Sequence, residues 1–135
     1  MIEEFTTKQM SDLLYQDLSE IKDDNTNKTE AIFQIPTADS IFPCRFIHTP
    51  LDSVIKSQNA KPILKDFQII IQHWAETQEE CMEMASVTDE KLQKRNILRT
   101  DTEPIVYDKT IQKYQLTTKY KVRWEGITNS FVYIK

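Results

Sequence analysis

Glycine occurs once in the 135 residues, and cysteine and histidine twice each. So little glycine excludes a glycine-rich phosphate loop and a nucleophile elbow, and no HExxH metal motif is present. Loops that need a positive φ must then use Asn, Asp or Ser, and Asp23-Asp24-Asn25-Thr26-Asn27 has that composition. Cys44 and Cys81 are too few for a disulfide scaffold, and the amino-terminal MIEEFTTKQM carries neither a basic region nor an apolar one. The expectation is a cytosolic chain with reduced thiols. There is no basic excess either: the net charge is −4, which gives the whole surface no reason to attract a nucleic-acid backbone. The longest purely apolar run, Ile69-Ile70-Ile71, is far short of the roughly 18 residues of a membrane span.

What is present is the composition of a folded domain, with 39% hydrophobic and 28% charged residues, at a length suited to one domain with a two-layer core. The clearest signal is Lys113 to Glu125, KYQLTTKYKVRWE. Every second residue from Tyr114 to Trp124 is apolar or threonine, which puts Tyr114, Leu116, Thr118, Tyr120, Val122 and Trp124 on one face of a strand. The opposite face carries Lys113, Lys119, Lys121 and Arg123 against Glu125, a local charge of about +3. Such a strand is half-buried and antiparallel.

Thr6 with Gln9, and Thr77 with Glu80, have the spacing of capping boxes. The first opens a helix from about Thr7 to Lys22, with Met10, Leu13, Leu14, Leu18 and Ile21 on one face. The second opens a helix through Cys81, Met84, Ala85, Thr88 and Leu92 to Lys94 and Arg95, with Asn96 as a left-handed cap. Ala31 to Ile35, Cys44 to Thr49, Phe67 to Trp74, Ile97 to Tyr107 and Phe131 to Ile134 read as further strands. The fold class is therefore α+β in the order α-β-β-β-α-β-β-β, with two helices on one face of an antiparallel or mixed sheet. Leu51 to Lys65 shows no period and is read as a loop of about 15 residues, long enough to ask for a function. Its apolar residues Leu51, Val54, Ile55, Ile63 and Leu64 suit either a plug on the domain's own core or an arm that docks on a partner, and of these Val54, Ile55, Ile63 and Leu64 are the ones expected to meet it.

Candidate chemistry is sparse. Cys44 and His48 are four residues apart, about 13 Å along a strand, too far for two ligands that each sit roughly 2.0 to 2.3 Å from one zinc. Asp23, Asn25 and Asn27 match the first ligands of a calcium-binding EF loop. The match ends at Lys28, where glycine is required, and at Gln34, where a bidentate glutamate is required. His73 beside Trp74 reads as a structural histidine, and Glu79 and Glu83 as acids in the first turns of a helix. No catalytic, metal-binding or cofactor-binding residue is expected, and the chain reads as a non-enzyme. The basic face of Lys119, Lys121 and Arg123 suits a solvated sheet, a contact with an acidic neighbouring copy, or nucleic acid. For the last, Tyr114, Tyr120 and Trp124 lie on the wrong face, since single-strand binding places aromatics and cations together.

The stretch EKLQKRNILRTDTEPIVYDKTIQKYQLTTKYKVRWEGITN resembles the tail-terminator proteins of long-tailed bacteriophages, also called tail-completion or tail-to-head joining proteins. The similar features are a helix ending in basic residues, a strand, and a strand of the form K-Y-x-L-T-x-x-Y-x-V-R-W followed by a short terminal strand. Length and element order fit across nearly the whole chain. The resemblance implies a virion protein, assembled in the host cytoplasm, that forms a hexameric ring at the head-proximal end of the tail tube. Its partners would be further copies of itself, the tail tube protein and a head-completion or neck protein, with DNA passing through the lumen without specific binding. Alternatives are another head-tail connector or minor capsid component, or a small nucleic-acid-binding module.

Overall fold

The computed structural model describes residues 4–23, 27–28, 30–58 and 61–134. In chain order the elements are α1 (Thr7–Ser19), β1 (Lys22–Asp23), β2 (Asn27–Lys28), β3 (Glu30–Ile32), β4 (Cys44–Ile47), β5 (Leu51–Gln58) and β6 (Lys61–Ala75). After them come α2 (Gln78–Gln93), β7 (Leu98–Thr102), β8 (Val106–Asp108), β9 (Lys113–Glu125) and β10 (Ser130–Val132). The fold is α+β, with two helices against a mixed sheet of eight strands. Strands β1 and β2 form a separate two-stranded pair. The centre of the predicted polar loop, Asp24 to Thr26, lies outside the described residues.

The long antiparallel pair β6 and β9 is the spine, in register from Leu64 opposite Glu125 to Ala75 opposite Tyr114. Its pleat sorts the residues as the alternation in 113–125 predicts: Leu116, Tyr120, Val122 and Trp124 are buried, while Lys121 is exposed. Phe67, Ile69 and Ile71 of β6 lie beside them, under Met10, Leu14 and Leu18 of α1 and Leu92 of α2. Each such side chain stabilises the fold by roughly 1.5 to 3 kcal/mol on burial. A second cluster joins Cys81, Met84 and Ala85 of α2 to Ala75 and Leu116. On the other side of the sheet, Cys44, Phe46 and Trp74 are covered by Phe42 and Ile111.

Both helices start as their caps predict. Thr6 and Gln9 make the reciprocal box, and the Thr77 side chain accepts from the Glu80 amide. Positive φ occurs at Asn96, Gln112 and Asn129, none of them glycine. Asn96 is the expected cap after α2.

Three expectations need correction. The predicted loop at 51–65 is a hairpin, β5 against the first half of β6, with Asn59 and Ala60 outside the described residues. It pairs because β6 begins six residues before the expected Phe67, so the backbone groups of Leu51–Gln58 find a ladder. The expected strand from Ile97 to Tyr107 is divided into β7 and β8, with Pro104, which cannot donate to a ladder, between them. Helix α1 stops at Ser19, three residues early, and Ile21 is nevertheless buried.

Candidate functional site

The hairpin stands out from the body. All eight residues of β5 are exposed, among them Leu51, Val54 and Ile55 at 58%, 52% and 50%. Three large aliphatic side chains on one short strand are an unusual load for a surface element. Of the four apolar residues expected to meet a partner, Val54 and Ile55 are placed to do so. Leu64 is half-buried, and Ile63 is a correction: it is buried in its own chain, and its carbonyl accepts the Gly126 amide at 2.7 Å. It faces inward because the strand alternates from Phe67 back through Lys65 to Ile63 on the helix side. Leu51 belongs with Val54 and Ile55, although the sequence pattern did not single it out.

The hairpin's root is tied down by a residue the sequence reading passed over. Lys65 lies on the helix side of β6 and is 1% exposed. Its Nζ donates to Asp52 Oδ2 at 2.7 Å, to Glu4 Oε2 at 2.9 Å and to the Phe5 carbonyl at 3.0 Å, and it lies 5.2 Å from the Phe67 ring centroid. The hydrogen bond from Lys65 is the main reason the Asp52 carboxyl is held below its ordinary range. Burial alone would lower the Lys65 ammonium, but its bonds to Asp52 and Glu4 carry it above its ordinary value.

The basic face is partly neutralised within the chain. Arg123 makes a bidentate pair with Asp66, at 2.7 and 3.1 Å, directly across the β6–β9 ladder. Lys119 lies 3.3 Å from Glu103. Lys121 is exposed and has no ion-pair partner among the described residues. It borders a hollow of about 280 Å³ shared with Leu51, Ile55, Gln68 and Ile134. The expected stripe of three free cations is thus one free lysine between two ion pairs.

Most buried polar side chains of the described residues are hydrogen-bonded, His48 Nε2 and Trp124 Nε1 excepted. The Thr88 hydroxyl on α2 accepts from Arg45 Nε at 2.7 Å and lies 2.9 Å from His73 Nε2. His73 Nδ1 faces the Leu116 carbonyl at 3.1 Å, and Arg45 Nη2 donates to the Met84 carbonyl at 3.0 Å. A carbonyl can only accept, so Nδ1 carries a proton, while the single Thr88 hydroxyl proton is shared between the Met84 carbonyl, at 2.9 Å, and His73 Nε2. This network sits between sheet and helix with Arg45 and His73 fully buried, so it ties α2 to β4 and β6. The Tyr120 hydroxyl donates to Asp89, which also pairs with Arg99, and burial pushes the phenol's pKa upward. Burial likewise raises the Cys81 thiol to about 11, which removes it as a nucleophile near neutral pH. Cys44 and His48 are both on β4 or just past it, and the described residues contain no group of three or more metal-ligating side chains. The chain matches no protein-family model, no curated protein and no solved structure.

Proposed function

We propose that this chain is a structural virion protein of the tail-terminator type. Copies associate into a ring, hexameric by the resemblance, at the head-proximal end of a phage tail tube. The ring ends tube growth and offers its other side to a head-completion or neck protein. The observation that carries the reading is the exposed hairpin strand β5, with Leu51, Val54 and Ile55 in solvent over a firmly anchored root. A surface of this kind suits association rather than chemistry. The buried ionisable side chains Lys65 and Tyr120 favour the same reading, because both spend their polar atoms on the fold, Lys65 on Asp52, Glu4 and the Phe5 carbonyl and Tyr120 on Asp89. An overall charge of −4 suits a lumen that DNA crosses without adhering. No residue is assigned a catalytic role.

Negative-stain electron microscopy of the purified chain tests the proposal. Rings with a central opening wide enough for duplex DNA are the expected result. Isolated particles of single-chain size at high concentration would overturn it.

A further inference from the structure

We infer that the sheet continues from copy to copy, with β5 of one subunit pairing antiparallel to β7 of the next. The inference rests on the self-assembly reading for the identity of the partner, and adds the contact by which the copies join.

The direction of the backbone groups can be worked out along the spine. Ile63 gives its carbonyl to Gly126 on the β9 side, and Ile70 gives its carbonyl to the His48 amide on the other side. Odd residues of β6 therefore bond β9, and even residues face β4 and β5. Leu51 and Ser53 lie opposite Gln68 and Asp66, so they spend their N–H and C=O groups on β6. Asp52 and Val54 must point theirs outward, where no strand follows among the described residues. Natural sheets blunt such edges with bulges, proline or charge. On β5 the irregularities begin only after Val54, the strand's lysine is Lys56, and the one charge within Leu51 to Val54, Asp52, is turned to the helix side and paired with Lys65, so this stretch is a regular open edge.

The opposite edge of the sheet is built from β7, β8 and β10, all on β9. Leu98 and Asp101 lie opposite Lys121 and Lys119, on the same parity as Thr117, whose carbonyl accepts from Glu103. Their backbone groups bond β9, which leaves those of Arg99 pointing outward. At β10 the equivalent outward carbonyl, that of Phe131, is already taken by Asn96 Nδ2 at 2.9 Å. The open part of this edge is the start of β7, Leu98 and Arg99, before the irregularity between Arg99 and Asp101.

The two open edges fit each other. Each step from β5 to β6, β9 and β7 is antiparallel, so a further copy placed in the same orientation brings its β5 antiparallel to β7. One row across these four strands reads Leu51, Gln68, Lys121, Leu98. It ends in an exposed leucine at both edges, 58% and 37%, on the face that carries no helix. Main-chain bonds need outward groups on both strands, so continuation sets Arg99 opposite Asp52 of the neighbouring copy and Val54 opposite Ile97, and Leu98 then lies opposite Ser53, diagonal to the exposed Leu51 and Ile55 on the same face. Because the two edges differ, the contact is head-to-tail and can close a ring, which a β5-to-β5 contact cannot.

Amide hydrogen exchange on the full chain tests this directly. The Val54 and Arg99 amides should slow at least about tenfold between dilute and assembled protein, as a new hydrogen bond requires. Val54→Pro removes the outward amide without touching the β6 ladder, and should weaken assembly by about tenfold or more. Val54→Thr, which keeps the amide, should assemble like the parent. Leu98→Glu should block the other edge, so an equimolar mixture of Val54→Pro and Leu98→Glu should yield dimers, each partner supplying its intact edge. Circular dichroism checks that the variants fold, and the exchange measurement needs no variant. A parent that assembles while Val54 and Arg99 exchange at their dilute rates overturns this contact and leaves the ring reading standing. Normal assembly of Leu98→Glu alone also overturns it, in favour of β5 pairing with itself. A parent that stays monomeric overturns both.

Discussion

Replacing Lys65 with methionine should cost the fold less than removing its two carboxylate partners. The ammonium is almost wholly enclosed, at 2% side-chain exposure, whereas the carboxylates of Glu4 and Asp52 are 40% and 35% exposed. In a Glu4→Gln, Asp52→Asn double variant the buried charge keeps the Phe5 carbonyl at 3.0 Å and loses both counter-charges. Breaking a buried pair in this way costs about 3 kcal/mol, toward the low end because both acids reach solvent. Lys65→Met removes the charge itself, fills the same path beside Phe67 with apolar atoms, and leaves two acids that water can solvate. Its cost should be within about 1 kcal/mol of zero. Urea unfolding midpoints at neutral pH and matched protein concentration decide it, provided the m-values agree. The pH profile adds a second reading. Asp52 is depressed in the fold, so its contribution is present above its ordinary value of 3.8 and is lost as pH falls through the folded value. Lys65 is raised, so its contribution is present below its ordinary value of 10.5 and is lost as pH rises through the folded value. Lys65→Met should flatten both limbs. A Lys65→Met protein less stable than the double variant would refute the reasoning.

Thr88→Val keeps the shape of the side chain but leaves Arg45 Nε and His73 Nε2 without the Thr88 oxygen; a loss of about 2 to 3 kcal/mol is expected in thermal or urea unfolding. Cys81, with its thiol raised to about 11, should resist iodoacetamide at pH 8 in the native protein and react quickly in urea; rapid native alkylation would contradict the burial. Because Asp66 and Glu103 already neutralise Arg123 and Lys119, the parent and a Lys119→Ala, Lys121→Ala, Arg123→Ala variant should both bind duplex DNA negligibly in a low-salt titration. Tight binding by the parent with a steep salt dependence would move the nucleic-acid reading to first place.

The strand at 113–125 was legible because one of its faces is buried and the other is not, which writes a period of two into the sequence. The helices were legible through Thr6 with Gln9 and Thr77 with Glu80, local bonds that need no knowledge of the rest of the chain. The hairpin was not legible, for two physical reasons. β5 is exposed on both faces, so no alternation is imposed on it. On β6 the inward row Ile63, Lys65, Phe67, Ile69, Ile71 does alternate, but a lysine in the middle of it looks like a solvent residue until Asp52 and Glu4 are seen around it. β4 was legible as a strand between Pro43 and Pro50, but the burial of Arg45 inside it, where all four residues are buried, was not. Val54 and Ile55 stood out as apolar residues in a polar stretch, whereas the pairing of Arg123 with Asp66 depends on a register that sequence does not display.

The central claim, that the chain works by assembling with itself, is tested most directly by light scattering on the purified protein as it leaves a sizing column, over a range of concentrations. The account predicts one species of six chains that dissociates on dilution, and less readily in the parent than in Val54→Pro. A single-chain mass at every concentration, together with retention of oligonucleotides, would contradict it.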